Sequence, residues 1–215
     1  VRRQFLAGIA AAVGVIAAAS LVPGATPTAF ADYDVSPAPL SPAESEQVVD
    51  DCRALGPLSM GDAIAPAVPV LAERRGSWSY VVLVSDTQVT TCLVRRGAAA
   101  ADDLVLASGG GRTPDTSARP VTGVRLDGST FTQAMPGEEP SPDAFGSAVG
   151  QAAPGVTAVD VVLPGDRVVH TTLTPDGWWG AWWPGGLDSE GNGQATALRY
   201  ADSAGTVVEV PYGDG

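Results

Sequence analysis

A mainly β fold, antiparallel meanders packed as sandwich-like sheets with one short amino-terminal helix, is what this sequence predicts. Three observations predict it. The 215 residues include 26 Gly and 18 Pro, scattered in short clusters that punctuate the chain as turns do. Between the clusters lie runs of β-branched and aromatic residues of strand length. Near the carboxyl end, Gly177-Trp178-Trp179-Gly180-Ala181-Trp182-Trp183-Pro184-Gly185-Gly186 concentrates four of the five tryptophans in one short run. At strand period Trp178 and Trp182 share one face, and Trp179 and Trp183 share the other. Each indole buries about 150–250 Å² when covered, so a domain is built around this strand, or part of the strand is a contact surface.

In chain order, Arg2-Arg3-Gln4-Phe5-Leu6 precedes an apolar run from Ala7 to Val22, then Pro23-Gly24 and Ala29-Phe30-Ala31. A positive start, an apolar middle and a small-x-small site are the parts of an export signal, with cleavage expected after Ala31. Arg-Arg-x-Phe-Leu also resembles the core of a twin-arginine signal. The competing reading is an uncleaved anchor, since Phe5 to Val22 is long enough to span a bilayer. Both place the remainder, residues 32 onward, at the cell surface or outside the cell, and membrane contact is expected only through the uncleaved segment.

Residues 32–41 are Pro-rich and polar and predict a linker. Ser41-Pro42-Ala43-Glu44 predicts a capped helix, Ser at the N-cap and Glu three residues on, with Val48, Val49, Cys52 and Leu55 on its apolar side and Gly56-Pro57 as its end. Pro69 to Arg75 predicts an edge strand turning at Gly76-Ser77. Ser79 to Val84 and Gln88 to Val94 predict a hairpin across Ser85-Asp86-Thr87. Cys92 in that hairpin and Cys52 on the helix are the only cysteines. In an exported chain they predict a disulfide joining helix to sheet.

Asp103 to Ala107 predicts a further strand, Ser108 to Pro120 a loop, and Val121 to Thr132 a hairpin turning at Asp127-Gly128. The helix and first β unit are placed in residues 42–136, a connector in 137–144 and a second β unit in 145–215. In that second unit the strands are Val156 to Leu163, Arg167 to Thr174, the tryptophan run, and a closing hairpin of Ala195 to Ala201 and Thr206 to Tyr212.

The Val156-x-x-Val159-x-Val161-Val162-Leu163 strand, Arg167-Val168 and Gly177-Trp178-Trp179-x-Ala181-Trp182-Trp183-Pro184-Gly185 together resemble a family of uncharacterised actinobacterial exported or membrane-anchored proteins. Arg74-Arg75-Gly76-Ser77-Trp78 and Thr91-Cys92-Leu93-Val94 are similar to that family's middle section. The resemblance implies compartment and fold and transfers no catalytic residue.

Charge and residue inventory narrow the function classes. The net charge is -12, and every basic residue is Arg. No basic stripe is present to displace phosphate counterions, so nucleic acid is not an expected partner. Gly109-Gly110-Gly111 lacks the Gly-Lys-Ser/Thr of a phosphate loop. His170 is the only histidine, and no Gly-x-Ser-x-Gly elbow accompanies it, so a secreted hydrolase using His170 is the remotest of the alternatives. One histidine and two paired cysteines do not make a zinc site. Asp188-Ser189-Glu190-Gly191-Asn192-Gly193 copies half a calcium loop, but Arg199 stands where its closing Glu belongs. Glu138-Glu139 has no identifiable partner acid for glycoside chemistry. The expectation is therefore a non-enzymatic interaction or structural domain with no cofactor, whose partner is a protein or a cell-wall glycan. A glycan would be bound by Trp178, Trp179, Trp182 and Trp183 serving as ring platforms.

Overall fold

The computed structural model describes residues 30–59, 67–86, 88–96, 104–111, 121–130, 144–185 and 195–212. Thirteen strands and one helix occupy them. Residues 1–29 of the expected signal or anchor, 112–120 of the expected loop, 137–143 of the expected connector, and the calcium-like stretch from Asp188 to Gly193 lie outside the described residues.

Among the described residues the strands form three antiparallel sheets. The first holds β1 (Ala38–Pro39), β2 (Val68–Arg75), β3 (Trp78–Val84), β4 (Gln88–Arg95) and β5 (Leu104–Gly111), side by side in that order. The expected hairpin of β3 and β4 is present, with Val81 opposite Cys92. Helix α1 (Pro42–Ser59) opens with a reciprocal cap. The Ser41 amide donates to Glu44 Oε2 at 2.9 Å, and the Glu44 amide donates to Ser41 Oγ at 3.3 Å. The helix runs through Gly56-Pro57 to Ser59. Pro57 falls in its last turn, where a missing N–H removes only one bond from the ladder. Val48, Val49 and Cys52 pack against Val81, Leu83, Cys92 and Val94, so α1 covers the outer face of this sheet. The predicted disulfide Cys52–Cys92 joins them, with Cα atoms 5.8 Å apart.

The remaining strands are β6 (Val121–Thr130), β7 (Ala144–Ala152), β8 (Val156–Leu163), β9 (Arg167–His170), β10 (Thr172–Leu173), β11 (Trp178–Pro184), β12 (Ala197–Asp202) and β13 (Val207–Pro211). Successive pairs alternate between two sheets. The order β10-β11-β7-β6 makes the second sheet and β13-β12-β8-β9 the third. The strand expected over Arg167 to Thr174 breaks at Thr171, where the chain leaves the third sheet for the second. The amide and hydroxyl of Thr171 both donate to the Val159 carbonyl, at 3.2 and 2.7 Å, which holds the crossing point.

Two local expectations give way to long-range pairing. Asp127-Gly128 does not turn: β6 is one strand, paired with β7 from Val121↔Ala152 to Thr130↔Ala144. A ladder that runs unbroken through the Asp127-Gly128 pair, from Arg125↔Val149 to Thr130↔Ala144, outweighs a local turn preference. Ser108 to Gly111 likewise extends β5, opposite Gln88 to Thr91 of β4, and is not a loop. Because β6 pairs with β7, the boundary drawn at 137–144 separates two neighbours of one sheet. By contrast Pro164-Gly165-Asp166 does turn, with Gly165 and Asp166 both at positive φ (72° and 57°) as a tight hairpin requires.

The sheets stack with the second in the middle. One core lies between the first and second sheets, built from Leu71, Trp78, Tyr80, Val82, Leu93, Val149, Trp178 and Trp182. A second lies between the second and third sheets, built from Val159, Val161, Leu163, Val169, Trp179, Trp183, Leu198 and Tyr200. The alternation read from the sequence therefore places two indoles of β11 in each core.

Residues 32–41 are not a free linker. Asp32 Oδ2 accepts the Ser77 amide at 2.7 Å, Tyr33 donates to the Trp182 carbonyl at 2.9 Å, and Ala38–Pro39 pairs with Arg74 and Glu73. The stretch is a strap that bonds to the β2–β3 turn and to β11 and then adds β1 to the edge of the first sheet.

Candidate functional site

Strand β2 explains where charge enters this fold. Leu71, Glu73 and Arg75 occupy alternate positions and share its buried face, with Glu73 1% and Arg75 0% exposed. Two opposite charges in the apolar phase of a strand require each other, because either alone would be stranded in low dielectric. Arg75 Nε donates to Glu73 Oε1 at 2.6 Å. The guanidinium also donates to the Val35 carbonyl at 2.6 Å, the His170 carbonyl at 2.5 Å and the Tyr33 hydroxyl at 3.5 Å. Glu73 Oε2 accepts from Thr172 Oγ1. A single ion pair thus ties together the strap, the end of β2 and the β9–β10 crossing.

Electrostatics follow from this burial. Desolvation pushes the Glu73 carboxyl above its usual range, opposed by the Arg75 charge and by hydrogen bonds from Arg75 and Thr172. The Tyr33 phenol is likewise raised by burial, against the pull of Arg75. The planar five-donor fork of Arg75 suits a junction where several carbonyls converge.

Above this junction the third sheet carries a charged row. Register sets His170 of β9 opposite Asp160 of β8, Asp160 opposite Arg199 of β12, and Arg199 opposite Glu209 of β13. His170 Nδ1 lies 2.9 Å from Asp160 Oδ1, and Arg199 donates to Glu209 Oε2 from Nε at 3.1 Å and from Nη2 at 2.8 Å. The row faces solvent, with the His170 side chain 56% exposed. His170 belongs to both constellations: its carbonyl meets Arg75 inside, and its ring meets Asp160 outside.

The expected site residues fall as follows. Trp178, Trp179, Trp182 and Trp183 are 6%, 0%, 0% and 2% exposed, so none offers a ring face to a sugar. The ring of Trp182 packs between Tyr33, at 4.8 Å, and Phe30, at 5.4 Å. Trp183 lies over Gly146, its cross-strand neighbour, where an added Cβ would stand 2.5 Å from the indole. Leu71 and Tyr80 come within 3.3 Å of a Cβ built on Gly180, the close approach that a glycine between two indoles permits. Cys52 and Cys92 are joined to each other. His170 has the carboxylate of a relay, yet no hydroxyl or thiol among the described residues hydrogen-bonds its ring. Among the described residues no group of three or more His, Cys, Asp or Glu side chains could hold a metal ion. Glu138-Glu139 and Asp188 to Gly193 lie outside them.

Sequence reasoning missed Glu73, Arg75 and Tyr33. The available signal was the period of β2, which places a Glu-x-Arg pair in phase with Leu71. Tyr33 carried no signal, because its surroundings read as linker. The charged row needed the register of four strands, which pair across gaps of up to 39 positions between Asp160 and Arg199.

Fold and site together define a disulfide-stapled β domain of three stacked antiparallel sheets, with a buried ion pair at their junction. Comparison with protein-family models, with curated proteins and with solved structures gives no match to this chain.

Proposed function

We propose that the protein is a non-enzymatic β domain that works at the cell surface or outside the cell as an interaction or structural module. The observation that supports this most is the fate of its reactive and aromatic side chains. The four clustered indoles fill the two cores, both cysteines form the staple, and Glu73 and Arg75 neutralise each other. What faces solvent on the third sheet is the row His170, Asp160, Arg199 and Glu209, a hydrated alternating pattern suited to meeting a polar protein surface. The disulfide is compatible with an oxidising compartment. The likeness of the tryptophan run to actinobacterial exported proteins supports the same compartment.

Titration of soluble cell-wall glycan fragments against tryptophan emission, beside a screen for ester and glycoside hydrolysis, tests the reading. It expects unchanged emission and no turnover. A saturable emission shift would replace it with glycan binding, and turnover abolished by His170→Ala would replace it with a hydrolase.

A further inference from the structure

The residues around the expected cleavage point are built into the fold. Phe30 is 5% exposed and sits in the core between the first and second sheets. Its ring centroid lies 5.0 Å from Trp78, 5.4 Å from Trp182 and 6.3 Å from Phe145. Its carbonyl accepts the Tyr33 amide at 3.0 Å, closing a turn around Ala31 and Asp32. Just beyond, Asp32 is held against the β2–β3 turn. Its carboxylate takes the Ser77 amide, and its carbonyl lies so close to Gly76 that an added Cβ would stand 2.1 Å away. Gly76 has φ +62°, a conformation that also favours glycine there. Tyr33 and Val35 then engage Trp182 and Arg75.

A peptidase that reads small residues on either side of position 30 needs the chain extended through Ala29-Phe30-Ala31. In the fold the bond after Ala31 lies inside a hydrogen-bonded turn with a buried aromatic on its amino side. Hydrolysis there, water adding across the C–N bond, would strip the Phe30 ring from between Trp78 and Trp182. It would leave a void of aromatic size in the core.

We propose that Phe30 belongs to the mature domain. The bond after Ala31 stays intact in the folded protein, and any removal of the leader takes place on the amino-terminal side of Phe30. This inference does not depend on the proposed function: an exported chain beginning at Asp32 would leave the export reading standing and remove this one.

Two measurements on the full chain decide it. Limited proteolysis of the folded protein with a protease of broad specificity, followed by mass spectrometry, should give a resistant domain whose first residue is Phe30 or earlier. The stable product recovered from outside the cytoplasm of an exporting host should begin there as well. A terminus at Ala31 or Asp32 in either sample overturns the proposal. Phe30→Ala in the full chain should lower Tm by about 10 °C, with Phe30→Leu recovering at least half of that loss. An unchanged Tm in Phe30→Ala would also overturn it.

Discussion

The tryptophan strand and the Glu73–Arg75 junction are both fully buried, yet they hold the molecule in opposite ways. The indoles of β11 work by area: they fill two cores, one on each side of the middle sheet, and depend on glycine at 146 and 180 for room. The N–H groups of Trp179 and Trp182 add little to this, since these two meet no acceptor among the described residues. The ion pair works by direction. Arg75 joins the strap, β2 and the β9–β10 crossing through named acceptors, and its charge is tolerable only because Glu73 lies 2.6 Å away. Apolar burial supplies cohesion, whereas the buried charges fix how strap and sheets meet.

The largest expected effect separates ring area from polarity. Trp182→Ala should cost about 3–5 kcal/mol in urea or thermal unfolding. Trp182→Phe should lose well under half of that, because most of the contact is ring area. Equal losses in the two variants would mean that the N–H matters after all.

Arg75→Met should be nearly as severe, about 3–5 kcal/mol, since it leaves the Glu73 carboxylate buried without its counter-charge. Here the double variant Glu73→Leu/Arg75→Met should recover only part of the loss, because the carbonyls of Val35 and His170 and the hydroxyl of Thr172 lose their partners too. Full recovery in the double variant would reduce the junction to a charge-neutral plug.

The pH dependence sharpens the same point. Glu73 holds its proton more tightly in the folded state than at the ordinary value of 4.5. The native chain therefore binds more protons between 4.5 and the raised value. Its contribution to stability is present below 4.5 and lost as pH rises through the raised value. Glu73→Gln should flatten that part of the stability profile measured by chemical unfolding, and an unaltered slope would assign it to other groups.

Gly146→Ala tests the apolar side more gently. A Cβ beneath the Trp183 ring should cost about 1–3 kcal/mol by overpacking, read as a lower urea midpoint with unchanged m. The smallest effect belongs to the exposed row. Arg199→Ala should change stability by under about 1 kcal/mol, since Glu209 is well solvated on an outer face. A larger loss would make that row part of the framework.

This contrast also marks what the amino-acid order discloses. Two faces of indoles, a Ser41–Glu44 cap and a Cys52–Cys92 staple are visible because each is encoded by period, by local spacing or by a small choice of partners. The Asp127-Gly128 signal misled because its competitor, β7, lies well downstream and wins through a full ladder. Tyr33 and Phe30 were hidden because neighbouring Pro and Ala make the strap look like leader and linker, while their burial is set by Trp78, Trp182 and Arg75 far along the chain. Glu73 and Arg75 lay in plain phase with Leu71, but a charged pair at strand period is ordinarily a solvated one.

Acrylamide quenching of tryptophan emission tests the central claim most directly. With all five indoles at most 6% exposed, the folded chain should quench several-fold less than the same chain in urea, with emission shifted to the blue. Native quenching as steep as that of the unfolded chain would place the β11 indoles in solvent and contradict the account.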